Sequence, residues 1–232
     1  MNVLVACEES QAVCIAFRER GHRAFSCDTQ ECSGGHPEWH IQGDVLPLLN
    51  GSCSFVTADT HTHTQAGKWD LIIGFPPCTY MTNASAVRMT VKGQVQPERY
   101  RNAMLAKEFF FAIYRADCPR VAIENPTPLS IVELPPPTQS IQPYEFGHPY
   151  SKRTCLWLRG LPQLKPTEII TQHELYVNGG CKDAHGNYRR FQGRKERDQK
   201  TRSKTFSGIA NAMAEQWGNI TEVQLSLFDG GI

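Results

Sequence analysis

A cysteine at the end of an apolar run carries the strongest chemical signal in this chain. Phe75-Pro76-Pro77-Cys78 directly follows the run Trp69-Asp70-Leu71-Ile72-Ile73-Gly74, which predicts a buried strand. Open α/β sheets carry their chemistry at the carboxyl ends of their strands. Because two consecutive prolines restrict the backbone, they hold the Cys78 thiol in one direction, which suits a nucleophile.

A second apolar run ends in a carboxylate. Arg120-Val121-Ala122-Ile123 predicts a short strand, and Glu124-Asn125-Pro126 follows it. Since parallel strands end at the same edge of a sheet, we expect Cys78 and Glu124 to lie near each other. Together they offer a nucleophile and a candidate general acid.

These two signatures resemble those of the cytosine-5 DNA methyltransferases, which carry Pro-Cys after one strand and Glu-Asn-Val after a later one. More narrowly, the chain is similar to a compact phage and bacterial family of DNA cytosine methyltransferases, over residues 1–165 and 204–218. The stretches that carry this similarity are 2–7, 43–45, 69–79, 123–126 and 146–152.

The resemblance implies methyl transfer from S-adenosylmethionine to carbon 5 of cytosine in DNA. Thiolate addition at carbon 6 makes carbon 5 nucleophilic, and protonation of ring nitrogen 3 drains the charge that develops. The resemblance implies catalytic roles for Cys78 (nucleophile), Glu124 (acid), Asn125 (substrate or loop positioning) and Arg153 (charge stabilisation), with Thr79, His148 and Lys152 as substrate contacts. Lys152 is the other candidate for the cation that stabilises charge at the ring carbonyl.

The expected cofactor site lies at the first strand-to-helix turn, where doubly wound sheets bind nucleosides and an acid after the second strand takes the ribose hydroxyls. That acid is Asp28. The turn itself, 7–11, contains no glycine, and in this respect it departs from the family, whose Phe-x-Gly-x-Gly turn allows close approach of the ligand. The predicted cofactor contacts are Cys7, Glu8, Ser10, Asp28, Asp44, Phe75, Pro76 and Asn211.

Composition is that of a globular protein. The 232 residues are 40% hydrophobic and 20% charged, enough for one domain with a sizeable core. No apolar run reaches the length of a membrane span, and the start of the chain predicts a strand instead of a signal peptide. The nine cysteines have no framework spacing, so we expect reduced thiols in the cytoplasm of a bacterium or a phage-infected host. We predict no metal site.

Strand and helix signals alternate along the first two-thirds of the chain, which predicts an α/β fold with a parallel sheet. The resemblance sharpens this to a Rossmann-like class I S-adenosylmethionine-dependent methyltransferase sheet with helices on both faces. The predicted organisation is a catalytic core over 1–164, a basic appendage over 165–204, a helix returning to the core over 205–219, and a tail over 220–232.

Charge is unevenly distributed along the chain. The net charge is +1, yet residues 182–204 carry nine Lys or Arg and three acids, which leaves the rest at −5. A basic segment on a mildly acidic body suggests a surface for a polyanion. Arg189, Arg190 and Arg194 are the predicted DNA contacts, although an exposed charged loop has the same composition.

The tail contains Gln224-Leu225-Ser226-Leu227-Phe228, which resembles the pentapeptide that docks bacterial proteins on the replication sliding clamp. A short extended peptide of this kind binds by placing apolar anchors in a pocket. The residues expected to bind are Gln224, Leu225, Leu227 and Phe228, and a last strand or packing segment is the structural alternative.

Two other functions fit part of the pattern. The same chemistry on a free pyrimidine nucleotide suits a chain with little room for sequence recognition. A catalytically lapsed DNA-binding or clamp-binding module suits the turn that lacks glycine. The presence of both Cys78 and Glu124 favours an enzyme over the lapsed module.

Overall fold

The computed structural model describes residues 1–83, 86–176, 179–182, 188–191 and 202–219. The strands are β1 Asn2–Ala6, β2 Arg23–Asp28, β3 His40–Gln42, β4 Cys53–Val56, β5 Thr62–Gln65, β6 Leu71–Gly74, β7 Thr90–Val91, β8 Gln94–Val95, β9 Val121–Asn125, β10 Gln139–Ile141, β11 Tyr150–Ser151, β12 Thr154–Arg159, β13 Glu174–Leu175, β14 Gly179–Lys182 and β15 Tyr188–Phe191. The helices are α1 Ala12–Glu19, α2 Ala86–Met89, α3 Pro97–Tyr114 and α4 Ser207–Gly218.

A seven-stranded sheet forms the centre of the molecule, in the order β10-β12-β9-β6-β1-β2-β3. Strands β3, β2, β1, β6 and β9 are parallel, and β12 runs antiparallel between β9 and β10. The chain therefore winds outward from β1 in one direction and from β6 in the other. The crevice between β1 and β6 is the point at which doubly wound sheets bind ligands.

Helices cover both faces of this sheet. Alternate residues of a strand point to opposite faces, so Leu4 joins the layer of α3 whereas Val3 and Val5 join the layer of α1 and α4. The central strands are apolar on both faces because both are buried. This arrangement confirms the predicted α/β class with a mostly parallel sheet, and it is compatible with a Rossmann-like fold.

Several elements lie outside the central sheet. The pairs β4–β5 and β7–β8 are antiparallel hairpins, β14 pairs with β15, and β13 pairs with β11. The long helix α3 starts at Pro97, a proline in the first turn, where a missing N–H costs nothing. No helix in the described ranges is long and apolar enough to cross a membrane.

Candidate active site

Cys78 lies just beyond the carboxyl end of β6, beside the crevice between β1 and β6. The N–H of Phe75 donates to the carbonyl of Ala6 (2.9 Å), which extends the pairing of the two strands by one residue. Pro76 is buried and Cys78 is half-buried. The thiol therefore stands at the edge of the sheet that the sequence predicts, partly shielded from water and still accessible.

The loop after Cys78 is bonded to the loop after β9. The N–H of Leu129 donates to the Met81 carbonyl (2.7 Å), and the N–H of Asn83 donates to the Thr127 carbonyl (3.0 Å). The side-chain amide of Asn125 also donates to the carbonyl of Pro76 (3.4 Å). These three hydrogen bonds fix the turn that carries the thiol against the end of β9, where Glu124 lies, and against the loop that follows it.

Glu124 and Asn125 point to opposite faces of the sheet because they are consecutive residues of β9. Glu124 is paired in register with Leu156, which belongs to the layer of α1 and α4, whereas Asn125 is paired with Cys155 in the layer of α3. Asn125 is buried, and its Oδ1 accepts no hydrogen bond from the described residues. Glu124 thus lies on the face of α1 and α4, whereas Asn125 lies on the face of α3 and links the end of β9 to the turn after β6.

Burial sets the protonation of the two reactive groups. Loss of water raises the pKa of Glu124, and the positive charge of Lys152 opposes this shift. Burial likewise raises the pKa of Cys78, the negative charge of Glu124 raises it further, and Lys152 lowers it. Because Lys152 acts on both groups and Glu124 acts on Cys78, the three form one electrostatic unit.

Lys152, and not Arg153, is the cation of this unit. The exposed guanidinium of Arg153 turns toward the edge strand, where its Nε and Nη2 donate to Ser140 Oγ (3.4 and 3.3 Å). The ammonium of Lys152 is half-buried and acts on both Cys78 and Glu124. Sheet geometry explains the difference, since neighbouring residues beside β12 point to opposite faces.

The turn after β1 adopts left-handed backbone conformations without glycine. Cys7 has φ of 61° and Gln11 has φ of 59°, a region that costs other residues about 1 kcal/mol or more each. The buried Gln11 side chain makes this turn stable, because its amide donates to the His36 carbonyl (2.8 Å) and its Oε1 accepts from the His36 N–H (3.1 Å). Gln11 was not singled out by the sequence, where one glutamine in a helix start carries no signal.

Glu8 occupies the amino terminus of α1. Its carboxylate is buried and accepts hydrogen bonds from the N–H groups of Val13 (2.7 Å) and Cys14 (3.1 Å). Burial raises the pKa of Glu8 to about 8, although these two hydrogen bonds pull it down. The helix terminus is therefore satisfied from within the chain, at the position where nucleotide-binding folds often bind an anion.

Two acids stand at the ends of β2 and β3, beside the same turn. Asp28 accepts from the N–H of Gln30 (2.9 Å), and Asp44 accepts from the N–H of Leu46 (3.0 Å). The pKa of Cys7 is raised by burial first and then by the negative charges of these two carboxylates. Cys7, Asp28 and Asp44 therefore share one acidic corner of the carboxyl edge, next to Phe75, which packs in the layer of α1 and α4.

Other predicted residues lie apart from this cluster. Asn211 is exposed on α4, and its Oδ1 accepts from Arg20 (3.3 Å), so it is not brought to the acidic corner. His148 Nε2 accepts the N–H of Gly208 (2.9 Å) in the first turn of α4, which requires a neutral ring, and burial lowers its pKa. Ser10 is half-buried in the turn after β1, and Thr79 is exposed next to Cys78.

The predicted DNA and clamp contacts fall largely outside the described residues. The backbone of Arg189 and Arg190 lies in β15, whereas Arg194 and the peptide Gln224–Phe228, with Gln224, Leu225, Leu227 and Phe228, are outside the described ranges. Among the residues that are described, no group of three or more His, Cys, Asp or Glu side chains is arranged to hold a metal ion.

No protein-family model matches the sequence. No curated protein shows significant similarity to it. What the site can do must therefore be inferred from its geometry: a thiol, a carboxyl group that favours its protonated form, and a cation are held together beside a crevice with a separate acidic corner.

Proposed function

We propose that this protein transfers a methyl group from S-adenosylmethionine to carbon 5 of cytosine in DNA, through a covalent adduct with Cys78. One observation supports the proposal: Cys78 follows β6, Glu124 lies at the end of the neighbouring parallel strand β9, and hydrogen bonds tie the loop after β6 to the end of β9 and the loop after it. The finer identification of the sheet as the class I methyltransferase type is part of the same proposal, and the strand order is compatible with it.

Cys78 has to act as a thiolate, although its resting state is the thiol. In the first step its sulfur bonds to carbon 6 of cytosine, which breaks the 5,6 double bond and makes carbon 5 nucleophilic. The negative charge of Glu124 raises the pKa of Cys78, so a proton on Glu124 favours the thiolate. The productive form of the pair has one proton, held by Glu124.

Glu124 then supplies that proton to ring nitrogen 3 as the thiolate adds. Its raised pKa, caused by burial, suits this role because a carboxyl group with an ordinary pKa is ionised at neutral pH. Lys152 stabilises the negative charge that develops at the ring carbonyl. Methyl transfer leaves the donor as a neutral thioether. The hydrogen on carbon 5 then leaves as a proton to water, cleavage of the carbon–sulfur bond releases the Cys78 thiolate, and the proton on ring nitrogen 3 returns to Glu124.

The acidic corner suits the nucleoside part of S-adenosylmethionine. Asp28 and Asp44 offer carboxylate oxygens at the ends of β2 and β3, and carboxylates accept hydrogen bonds from ribose hydroxyls. Phe75 and Pro76 would line the side nearest Cys78. When bound, the cofactor supplies an electrophilic methyl group. Because Glu8 already fills the terminus of α1, that terminus is not left to hold the carboxylate of the cofactor.

We propose DNA as the substrate because the basic segment offers a phosphate-binding surface. A cytosine inside a duplex cannot present its ring to a thiol, so it has to flip out or be single-stranded. Arg189, Arg190 and Arg194 would position the backbone without reading sequence. A protein that methylates cellular or phage DNA acts in the cytoplasm of the bacterium, which is where we propose it works.

The test is transfer of a labelled methyl group from S-adenosylmethionine to duplex DNA, single-stranded DNA and deoxycytidine monophosphate in parallel. We expect label in DNA as 5-methylcytosine, and none with Cys78→Ala, which keeps the fold because Cys78 is only half-buried. Label in the monophosphate alone would establish the free-nucleotide alternative. A fully active Cys78→Ala protein would overturn the mechanism.

A binding module without catalysis is the second candidate, and the position of Glu8 favours it. A buried carboxyl group with a pKa of about 8 fills the helix terminus beside the crevice. Calorimetric titration with S-adenosylmethionine distinguishes the two functions. Binding supports the enzyme, whereas DNA binding without any cofactor binding would support the module.

A further inference from the structure

The ammonium of Lys152 is enclosed by residues far away in sequence. Its Nζ donates to the carbonyl of Arg202 (2.8 Å) and lies 5.9 Å from the ring centroids of both Tyr176 and Phe206. The backbone N–H of Lys152 donates to Gln142 Oε1 (2.9 Å). A lysine side chain is long and flexible, so contacts at both its ends are needed to keep its charge in one place.

The two aromatic rings come from either side of the basic segment 182–204 in the sequence. Tyr176 is buried and follows β13, and its N–H donates to the Ser151 carbonyl (3.1 Å). Phe206 directly precedes α4, whose first turn is bound by His148. The rings of Tyr176 and Phe206 meet edge to face at 4.7 Å. The residues that precede and follow the basic segment therefore converge on Lys152.

We propose that Tyr176 and Phe206 are positioning residues that hold the Lys152 ammonium toward Cys78 and Glu124, so that the appendage controls the catalytic pair as well as contacting DNA. Nothing in the sequence predicts this role, because the two residues are separated from Lys152 by 24 and 54 positions. The inference rests on the proposed function, since it takes Cys78 and Glu124 as the reacting groups.

The electrostatic surroundings support a role for a fixed cation. Lys152 lowers the pKa of Cys78 and the pKa of Glu124, against the burial that raises both. Other titratable or charged residues on the segments around Lys152 include Tyr150, Tyr176, His148, Arg202, Arg153 and Glu174. Among the described residues, the negative charge of Glu124 raises the pKa of Cys78 and the charge of Lys152 lowers it, so displacement of Lys152 should raise the pKa of this thiol.

The experiment measures alkylation of Cys78 by iodoacetamide as a function of pH, without DNA or cofactor. Mass spectrometry of the peptide that carries Cys78 separates this thiol from the other cysteines. Alkylation requires the thiolate, so the pH profile reports its stability and the limiting rate at high pH reports access. The variants are Phe206→Leu, Lys152→Gln and the double substitution, with Phe206→Tyr and Tyr176→Phe as conservative controls that keep an aromatic ring.

We expect Phe206→Leu and Lys152→Gln each to move the profile to higher pH, with alkylation roughly threefold to tenfold slower at neutral pH and the limiting rate unchanged. The double substitution moves it no further than Lys152→Gln, and the conservative controls stay near wild type. A shift with Lys152→Gln but none with Phe206→Leu overturns the proposal. So does a change in limiting rate alone, which would show a merely structural role.

This test separates the inference from the proposed function. The alkylation profile depends only on the surroundings of the thiol, so it can move as expected in a protein that transfers no methyl group. If methyl transfer is observed, Phe206→Leu should lower kcat and leave KM for DNA nearly unchanged, because the ring touches the cation and not the substrate. A raised KM for DNA with an unchanged kcat would instead assign Phe206 to DNA binding.

Discussion

Cys78 and Glu124 have opposite needs in the proposed mechanism. Cys78 would have to lose a proton and Glu124 would have to keep one, yet burial raises the pKa of both. The conflict is resolved if the two groups titrate as a pair. After burial, the negative charge of Glu124 is the largest cause that raises the pKa of Cys78, and a proton on Glu124 removes that charge. Lys152 then offsets the single negative charge that remains.

Replacement of Glu124 tests this division of roles. Glu124→Gln keeps the size of the side chain but cannot transfer a proton, so we expect methyl transfer to fall by roughly a hundredfold or more. Thermal unfolding should change little. The measurement is the initial rate on a short duplex, with Glu133→Gln, an exposed residue, as the control that stays near wild type. Comparable rates for the two variants would exclude Glu124 as the acid.

Glu8 makes stability depend on pH. Its pKa is about 8 in the folded protein and 4.5 in an unfolded chain, so the folded state binds more protons between these values. The free energy of unfolding should therefore fall as pH rises from 4.5 toward 8. The depressed pKa values of His22, His63 and His148 act in the opposite direction only below about 6.5.

We accordingly expect urea titrations at pH 6.5 and pH 8 to give a lower free energy of unfolding at pH 8. In Glu8→Gln that difference should shrink, since an amide does not titrate, whereas the exposed variant Glu133→Gln should keep the wild-type difference. A Glu8→Gln protein with an unchanged pH dependence would show that the carboxyl group is already ionised in the folded state.

Strands and turns are the elements that the sequence predicts best. The buried strands β1, β6 and β9 appear as apolar runs because both faces of a parallel sheet are covered, and the turns after them bring Cys78 and Glu124 together as expected. The choice between Lys152 and Arg153 was not predictable. The choice depends on which face of the sheet each side chain takes. For residues that precede a strand, the sequence does not show which of them points to which face.

Contacts between elements far apart in the sequence explain why the positions of two further residues could not be predicted. Asn211 was predicted near the cofactor from the resemblance of its helix to a family segment that packs on the cofactor pocket, yet it is exposed and its Oδ1 accepts a hydrogen bond from Arg20. Gln11 was overlooked, yet its side chain fastens the turn after β1 to the segment before β3. Neither outcome follows from local pattern, because both depend on how two separate segments meet.

The contact of Gln11 with the segment before β3 predicts the effect of one substitution. A Cβ atom on Gly34 would lie 2.6 Å from Gln11 Cβ and 2.7 Å from the Ser10 carbonyl oxygen, so Gly34→Ala should destabilise the fold by about 1–3 kcal/mol. Gly43→Ala is the matched control, because its added Cβ would meet nothing within 4 Å. The free energy of unfolding in urea measures both. Equal values would show that the segment moves aside without cost.

The whole molecule divides its charge between a body and an appendage. Residues 182–204 carry +6 and the remainder −5, so nucleic acid should approach from the side of the appendage. Tyr176 and Phe206, whose rings lie near the Lys152 ammonium, stand on either side of that segment in the sequence. We therefore propose that binding of a polyanion by this segment and readiness of the Cys78 thiol are connected.

One prediction for the whole molecule concerns its tail, residues 220–232. We propose that Gln224–Phe228 docks the protein on a bacterial sliding clamp, with Leu225, Leu227 and Phe228 in an apolar pocket. Deletion of residues 224–228 should remove binding to a purified clamp, measured by surface plasmon resonance, and leave methyl transfer to short DNA intact. The variant Ser226→Ala keeps the apolar anchors and serves as the control. Unchanged clamp affinity after the deletion would refute the docking.

The protonated state of Cys78 has a consequence for survival of the protein in the presence of peroxide. Peroxide attacks the thiolate of a cysteine and not the thiol, and burial raises the pKa of Cys78. Four other cysteines, Cys14, Cys27, Cys118 and Cys155, are buried. If the proposed mechanism holds, these five sulfurs should resist peroxide in the resting protein, and Cys78 should become vulnerable only during turnover.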